Sequence, residues 1–337
     1  MALPLLYDAL VRAASSQGSL PTCKAKPKGV SVIIPVRNDQ EHLMTKLSEL
    51  CRPSSIPMEI IVVDSSDSPL RSLPPCPHSL KYVRFEKRGK VRALNEGFKL
   101  SSYDVLLFTD VDAHNITPEV VTSLAKRLCG ELGLITPKVK HVVKDDRVRW
   151  LEGKYFERAS SLSVAESKVW SATVFTGSFM MIRREDLERL GGFPEDVGAD
   201  DTFLAHRVSL ILGKRAVWLN SPEVVEHIDE RLGDYLKKKV RRAQHLQQAF
   251  LKSAPLLPKG RGSTAYKLMM LTRFYLNLIN PFVGALGYLG SFSTPLLWVP
   301  LTLAILLTPY GRLWALNQLT LIAGLLKNLK GRGLEWK

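Results

Sequence analysis

The sequence predicts an α/β domain built on a mostly parallel sheet, followed by a hydrophobic helical segment toward the C-terminal end. Three observations carry this. Residues 30–36, 59–63 and 105–109 are almost continuously apolar, as strands covered on both faces are. Segments of helical period separate them, and strand–helix–strand alternation makes strands parallel neighbours. Residues 274–311 then run for 38 positions without an Asp, Glu, Lys or Arg, which no ordinary loop does. The length of 337 residues allows one large or two modest folded units. With 45% hydrophobic and 23% charged residues, collagen-like, low-complexity and disordered chains are excluded.

After the first strand, Asn38 with Glu41 three residues on forms a capping-box arrangement, and Leu43, Leu47 and Leu50 make the inner stripe of the helix that follows. A third strand is expected at 82–85, a helix at 91–100 with Leu94 and Phe98 inward, and a fourth strand at 105–109 running into Asp110 and Asp112. Thr117 caps a helix with Pro118 at its first position, and 132–136 continues the alternation. Beyond about residue 137 the pattern changes. Trp150, Tyr155 and Phe156 lie at helical spacing within 145–168, and 174–182 reads as a strand containing Thr176, Gly177 and Ser178. A helix at 184–190 ends at Gly191 and Gly192, Asp200 and Asp201 open another, and 224–228 is a late strand carrying His227.

The net charge of +15 is unevenly placed. Between Arg231 and Arg261 stand nine Lys or Arg against one acid, Asp234, just ahead of the uncharged stretch. A polybasic segment beside a hydrophobic one reads as a membrane-proximal patch facing the cytoplasm, with no nucleic-acid partner expected. The uncharged stretch is about twice the ~20 residues one crossing needs. Two helices, at 274–292 and 294–310, are therefore expected to cross and return, or to lie in the membrane plane, with an apolar helix at 313–326 after them. Gly284, Gly287 and Gly290 suit a helix-packing face. Asp8 breaks the short apolar run at 3–6, so no cleaved signal peptide is expected. Cys23, Cys51, Cys76 and Cys129 lack the paired spacing of a zinc site or dense disulfide framework, and a reducing compartment is expected.

Ligands of open α/β sheets lie outside the carboxyl ends of the strands, and Asp64, Asp110 and Asp112 all fall there. Asp110-Val111-Asp112 on a tight turn offers oxygen ligands to Mg²⁺ or Mn²⁺, with a diphosphate filling the remaining positions; it also suits loop solubility or helix capping. Asp64 is either an acceptor for a base or ribose or a turn former. Lys90 and Arg92 either neutralise phosphate or are surface helix charges. Of Asp200 and Asp201, one caps the helix and one can serve as a carboxylate base. His227 is either a metal ligand or a partly buried histidine, and Arg241 and Arg242 reach a diphosphate or lipid headgroups.

Taken in order and spacing, these pieces resemble the family 2 inverting glycosyltransferases, which have the nucleotide-diphospho-sugar transferase (GT-A type) fold. The likeness spans about residues 29–250. It rests on Val32-Ile33-Ile34-Pro35-Val36-Arg37-Asn38, Ile60-Ile61-Val62-Val63-Asp64, Gly89-Lys90 with Ala93-Leu94-Asn95 and Gly97, and Phe108-Thr109-Asp110-Val111-Asp112. Thr176-Gly177-Ser178, Gly191-Gly192-Phe193 and Asp200-Asp201 follow. The resemblance implies Asp64 as the nucleotide-binding acid, Asp112 as the principal metal ligand and Asp201 as catalytic base. The family's Glu-Asp pair is here Asp200-Asp201, and Ser65 stands where a second Asp is frequent. Residues 239–243 lack the tryptophan of the Gln-x-x-Arg-Trp motif of processive members.

The expected layout is an extension at 1–28, a catalytic domain at 29–252, a basic linker at 253–265 and membrane-associated helices at 266–330. Donor-binding residues are Pro35, Asp64, Lys90, Arg92, Asp110, Arg241 and Arg242; metal ligands are Asp110, Asp112 and His227; the acceptor region is Trp150, Gly177 and Asp200. The expected reaction is metal-dependent transfer of one sugar, with inversion, from a nucleotide-diphospho-sugar to a hydroxyl or phosphate acceptor on a lipid or lipid-linked molecule. The rivals are a processive polysaccharide synthase, a nucleotidyltransferase on the same general fold, and a non-catalytic membrane-tethered protein that binds sugar nucleotides or polyanions.

Overall fold

The computed structural model describes residues 2–22, 24–70, 72–86, 89–228, 230–331 and 333. Helix α1 (Ala2–Ser15) precedes β1 (Val30–Val36), α2 (Gln40–Leu50), β2 (Met58–Asp64), β3 (Ser79–Arg84), α3 (Lys90–Leu100), β4 (Val105–Phe108), β5 (Ala113–His114) and α4 (Pro118–Ala125). Then come β6 (Leu132–Val143), α5 (Asp146–Val169), β7 (Met180–Arg183), α6 (Arg184–Leu190), α7 (Asp200–Arg207), β8 (Arg215–Ile228) and α8 (Leu232–Ser253). The C-terminal helices are α9 (Thr264–Phe274), α10 (Asn280–Gly290), α11 (Pro295–Leu307) and α12 (Pro309–Lys330).

One eight-stranded sheet runs in the order β3-β2-β1-β4-β7-β6-β8-β5. Its apolar runs feed two cores, one on each face. Val30, Val32 and Ile34 pack with Leu43, Leu47 and Leu50 of α2 on one side, while Ile33, Ile61 and Val63 pack with Ala93 and Leu94 of α3 on the other. Burial on both faces is why these strands are apolar throughout. The sheet is mixed rather than mostly parallel. β1 to β4 are parallel, but β7 is antiparallel to β4 and β6, and the short β5 is antiparallel to β8. The reversal at β7 ends the simple crossover pattern and leaves an open rim at the carboxyl ends of β1 and β4.

Several local expectations change. The cap of α2 is Asp39, whose side chain accepts from the His42 amide, because Asn38 sits in the left-handed region at φ 53°. The expected strand at 174–182 is only β7, and residues 174–179 form a loop over the rim. Cys51 and Cys76 are joined in a disulfide between the approaches to β2 and β3; Cys129 is also disulfide-bonded, and no free cysteine remains among the described residues.

The C-terminal region also departs from the expected hairpin. The first presumed span, 274–292, opens with the π-helical turn Tyr275–Ile279, which separates α9 from α10, of 11 residues each, and α11 has 13. At 1.5 Å per residue, none approaches a ~30 Å hydrocarbon core. Among the described residues no single helix is long and apolar enough to cross a membrane; one bent pair, 295–305 with α12, meets the length and composition at a 95° break. The polar stripe of α12 explains its placement: Gln247 of α8 donates to the Leu321 carbonyl (2.8 Å) and Gln248 to Asn328 Oδ1 (2.8 Å). Gly324 permits this approach, since a Cβ there would lie 2.8 Å from the Gln244 amide nitrogen.

Candidate active site

Strand β4 ends at Phe108, and the chain turns through Asp110, Val111 and Asp112 into β5, whose Ala113 pairs with Glu226 of β8. This puts the turn at the floor of a cleft of about 2160 Å³. Opposite lies the loop 176–178. A Cβ on Gly177 would sit 2.9 Å from Lys90 Nζ, 3.2 Å from Asp110 Oδ2 and 3.6 Å from Asp201 Oδ2. A cation from the start of α3, an acid from the end of β4 and an acid from the first turn of α7 thus meet at one small residue. Lys90 Nζ is 2.6 Å from Asp110 Oδ1.

Neither acid of α7 caps its helix. The cap position is Ala199; Asp201 Oδ1 accepts from the Thr202 amide (2.5 Å), and Asp200 Oδ2 is buried without a partner. Burial, reinforced by the Asp200 charge, pushes Asp201 up to about 7 against the pull of Lys90. Burial also raises Asp200. At Lys90, burial is outweighed by Asp110, Asp200 and Asp201, and the ammonium is held charged. Burial, then the charges of Asp110 and Glu226, push Asp112 up to about 6.

Carboxylates held together at such cost fit a hard cation. No group of three or more His, Cys, Asp or Glu side chains among the described residues makes a closed metal cage, so an ion on Asp110 and Asp112 would need further oxygens from a ligand.

Most of the expected residues line this cleft: Pro35, Lys90, Arg92, Asp110, Asp112, Gly177, Asp200, Asp201, Arg241 and Arg242. Arg92 also pairs with Glu195 (2.9 Å). Three do not line it. Asp64 is 1% exposed, and its carboxylate is engaged by the Ser66 amide, the Tyr82 hydroxyl and Arg84. His227 is turned out of the cleft by strand alternation, because its neighbour Glu226 faces in; the His227 ring packs edge-on against His114. Trp150 is 63% exposed under the Arg312 guanidinium, 4.2 Å from the ring, beside a separate small apolar pocket.

Glu226 escaped the sequence reading. It accepts from Ser178 Oγ (2.6 Å) and Arg242 (3.1 Å), with His141 Nε2 at 3.6 Å. Burial alone would raise it, yet His141, Arg242 and Ser178 hold it below the usual carboxylate range. It is the neighbour of His227 on β8, and strand alternation sends it to the opposite face. Arg37 was missed too: it lies just past the end of β1, lines the cleft and has a buried Nε without a partner.

Residues 31–191 match the family described as Glycosyl transferase family 2. A mannosyltransferase from Pyrobaculum calidifontis, solved in complex with GDP-Man and Mn²⁺, superposes with a TM-score of 0.76 at 28% identity, over 97% of this chain and 95% of that one. The poly-beta-1,6-N-acetyl-D-glucosamine synthase of Staphylococcus epidermidis is 24% identical over 72% of this chain and 60% of its own length. The UDP-forming cellulose synthase catalytic subunit of Pseudomonas fluorescens is 33% identical over 27% of this chain and 12% of its own. The chain thus spans three-fifths or less of these curated relatives. The acid-lined cleft and the sequence likeness agree: residues 31–191 form a glycosyl transferase family 2 domain.

Proposed function

We propose that this enzyme transfers a single sugar, with inversion, from a nucleotide-diphospho-sugar to an acceptor oxygen, and that the transfer depends on a divalent cation. The observation that carries the proposal is the convergence of Lys90, Asp110 and Asp201 on Gly177. Asp201 takes the proton of the acceptor hydroxyl as that oxygen bonds to the anomeric carbon. The bond from this carbon to the diphosphate oxygen breaks on the opposite face, and the nucleoside diphosphate leaves with the electron pair. Lys90 and Arg242 flank the departing diphosphate. Mg²⁺ or Mn²⁺ on Asp110 and Asp112 would neutralise part of that charge. Pairing with GDP-Man and Mn²⁺ in the Pyrobaculum calidifontis enzyme supports this donor class and metal. An acceptor phosphate, already ionised, would need Asp201 less.

The acceptor we infer is lipid or lipid-linked, met at a membrane surface by a catalytic domain facing the cytoplasm. What supports this is the run of the cleft from the acids, past Lys238, Arg241 and Arg242 of α8, to Leu276, Tyr310 and Trp314 of the C-terminal helices. Outward leucines such as Leu268, Leu286, Leu296 and Leu307, each at least 64% exposed, suit helices lying in the plane of a bilayer. The polysaccharide synthases among the relatives favour a second reading, repeated transfer to a growing chain.

A panel of nucleotide sugars incubated with membrane lipid extracts, with mass analysis of products, tests these readings. Asp201→Asn is expected to bind donor normally and form no glycosylated hydroxyl product, and Asp112→Asn to lose metal-dependent donor binding. Full turnover with metal chelated would overturn the metal role. A ladder of products would replace single transfer by polymer synthesis.

A further inference from the structure

The inner stripe of α2 is interrupted by one charge. Lys46 stands among Leu43, Leu47 and Leu50 and is 0% exposed. Its Nζ donates to Thr109 Oγ1 (2.9 Å), and that hydroxyl donates to the Ser178 carbonyl (2.8 Å). Lys46 does not line the cleft; it approaches the Asp110–Asp112 turn from behind, through the residue that precedes it. Burying an ammonium costs several kcal/mol unless opposite charge is near. Burial draws Lys46 down to about 8, and the charges opposing that are, in order, Asp112, Asp110 and Glu49. Glu49 is already engaged by the amides of Asn115 and Ile116, both at 3.1 Å. The ammonium therefore answers chiefly to the two acids at the cleft floor.

We propose that Lys46 is a positioning residue for the donor site, a fixed counter-charge behind Asp110 and Asp112 that limits how tightly the front of the turn grips a divalent cation. The inference rests on the metal reading of those two acids. A turn facing both a cation and a leaving diphosphate must release them each cycle. A positive charge held by Thr109 on the far side of the same carboxylates weakens that grip by direct repulsion and by sharing their field. Thr109 fixes where the charge stands and ties it to the loop bearing Gly177.

Mn²⁺ binding to the full chain at pH 7.5, followed by electron paramagnetic resonance, tests this without turnover. Lys46→Met and Lys46→Gln remove the charge; replacing a buried ion with an uncharged group of similar length is structurally tolerated. Thr109→Val keeps the charge and removes the hydroxyl link. Both Lys46 variants are expected to bind Mn²⁺ about tenfold more tightly, and Thr109→Val within about threefold of wild type. In turnover, kcat and the KM for metal fall together as product release slows. Unchanged or weaker Mn²⁺ binding in either folded Lys46 variant overturns the inference. So does an equal effect from Thr109→Val, which would assign it to the geometry of the turn. Wild-type protein that binds no Mn²⁺, with or without nucleoside diphosphate, overturns the metal reading itself and this inference with it.

Discussion

Lys90 Nζ and Asp110 Oδ1 stand 2.6 Å apart at the floor of the cleft, on the spot that a diphosphate and its cation would share. The ammonium there neutralises three carboxylates of α7 and the β4 turn until a ligand brings its own charge. Lys90→Gln removes that neutralisation and the phosphate contact together. Nucleoside diphosphate affinity, measured by calorimetry, is expected to fall about tenfold or more, the scale of one charge-assisted hydrogen bond. Unaltered affinity would place Lys90 outside the donor site.

Gly177 gives a cleaner steric test. Its backbone is not in the left-handed region, so alanine is permitted, yet a Cβ would press on Lys90 Nζ and Asp110 Oδ2. Gly177→Ala is expected to cut kcat/KM by about 100-fold, the order of loss that a misplacement of about 1 Å can bring, with little change in melting temperature. Gly287→Ala, where a Cβ meets nothing within 4 Å, serves as control. Equal activity in the two variants would show that loop 176–178 does not bound the reacting atoms.

With Asp201 as the proposed base, a pH dependence follows. Its pKa is raised, so the base form is lost as pH falls below about 7. With a hydroxyl acceptor, kcat/KM is expected to rise with pH through an acid limb near 7 and to level off above it. The same shift has a stability counterpart. An unfolded Asp titrates near ~3.9, so ionising the buried carboxyl disfavours the fold progressively between about pH 4 and 7. Asp201→Asn is accordingly expected to raise the melting temperature of the metal-free protein at pH 8 and leave it unchanged near pH 4. A flat difference across that range would remove the raised pKa.

Much of this site was legible in the chain because strand ends announce themselves: an apolar run stops, and the acids that follow lie at a sheet rim. Asp110 and Asp112 were found that way, and Asp200 and Asp201 as the opening of a helix. Burial was not legible, and it separates Asp64, closed off by Tyr82 and Arg84, from the acids that open to the cleft. Alternation sends the neighbours Glu226 and His227 to opposite faces of β8, and only the tertiary fold decides that Glu226 is the one facing the cleft. Lys46 broke a leucine stripe in plain sight; only tertiary packing reveals that its partner lies 63 residues away. The uncharged stretch suggested a crossing hairpin by length, whereas backbone breaks at 275–279 and 291–294 cut it into short helices.

The last prediction concerns how the C-terminal helices are fastened. Arg273 of α9 meets Glu166 of α5 through Nε (2.9 Å) and Nη2 (2.8 Å), and Glu166 is 0% exposed. The same carboxylate accepts from Tyr7 of α1 and from the Thr173 amide and hydroxyl. Three helices thus close on one buried charge, and removing residues from Tyr266 onward would strip it of its only salt-bridge partner among the described residues. Arg273→Met leaves that charge uncompensated and is expected to cost about 3–5 kcal/mol in denaturant unfolding. Glu166→Met leaves a buried guanidinium instead. The double variant, with neither charge, is expected to be more stable than Arg273→Met alone, since the penalty comes from the orphaned ion and not from lost contact area. Simple addition of the two single losses would mean that α9 is held by its apolar packing around Tyr266 and Met270, and that the ion pair contributes nothing of its own.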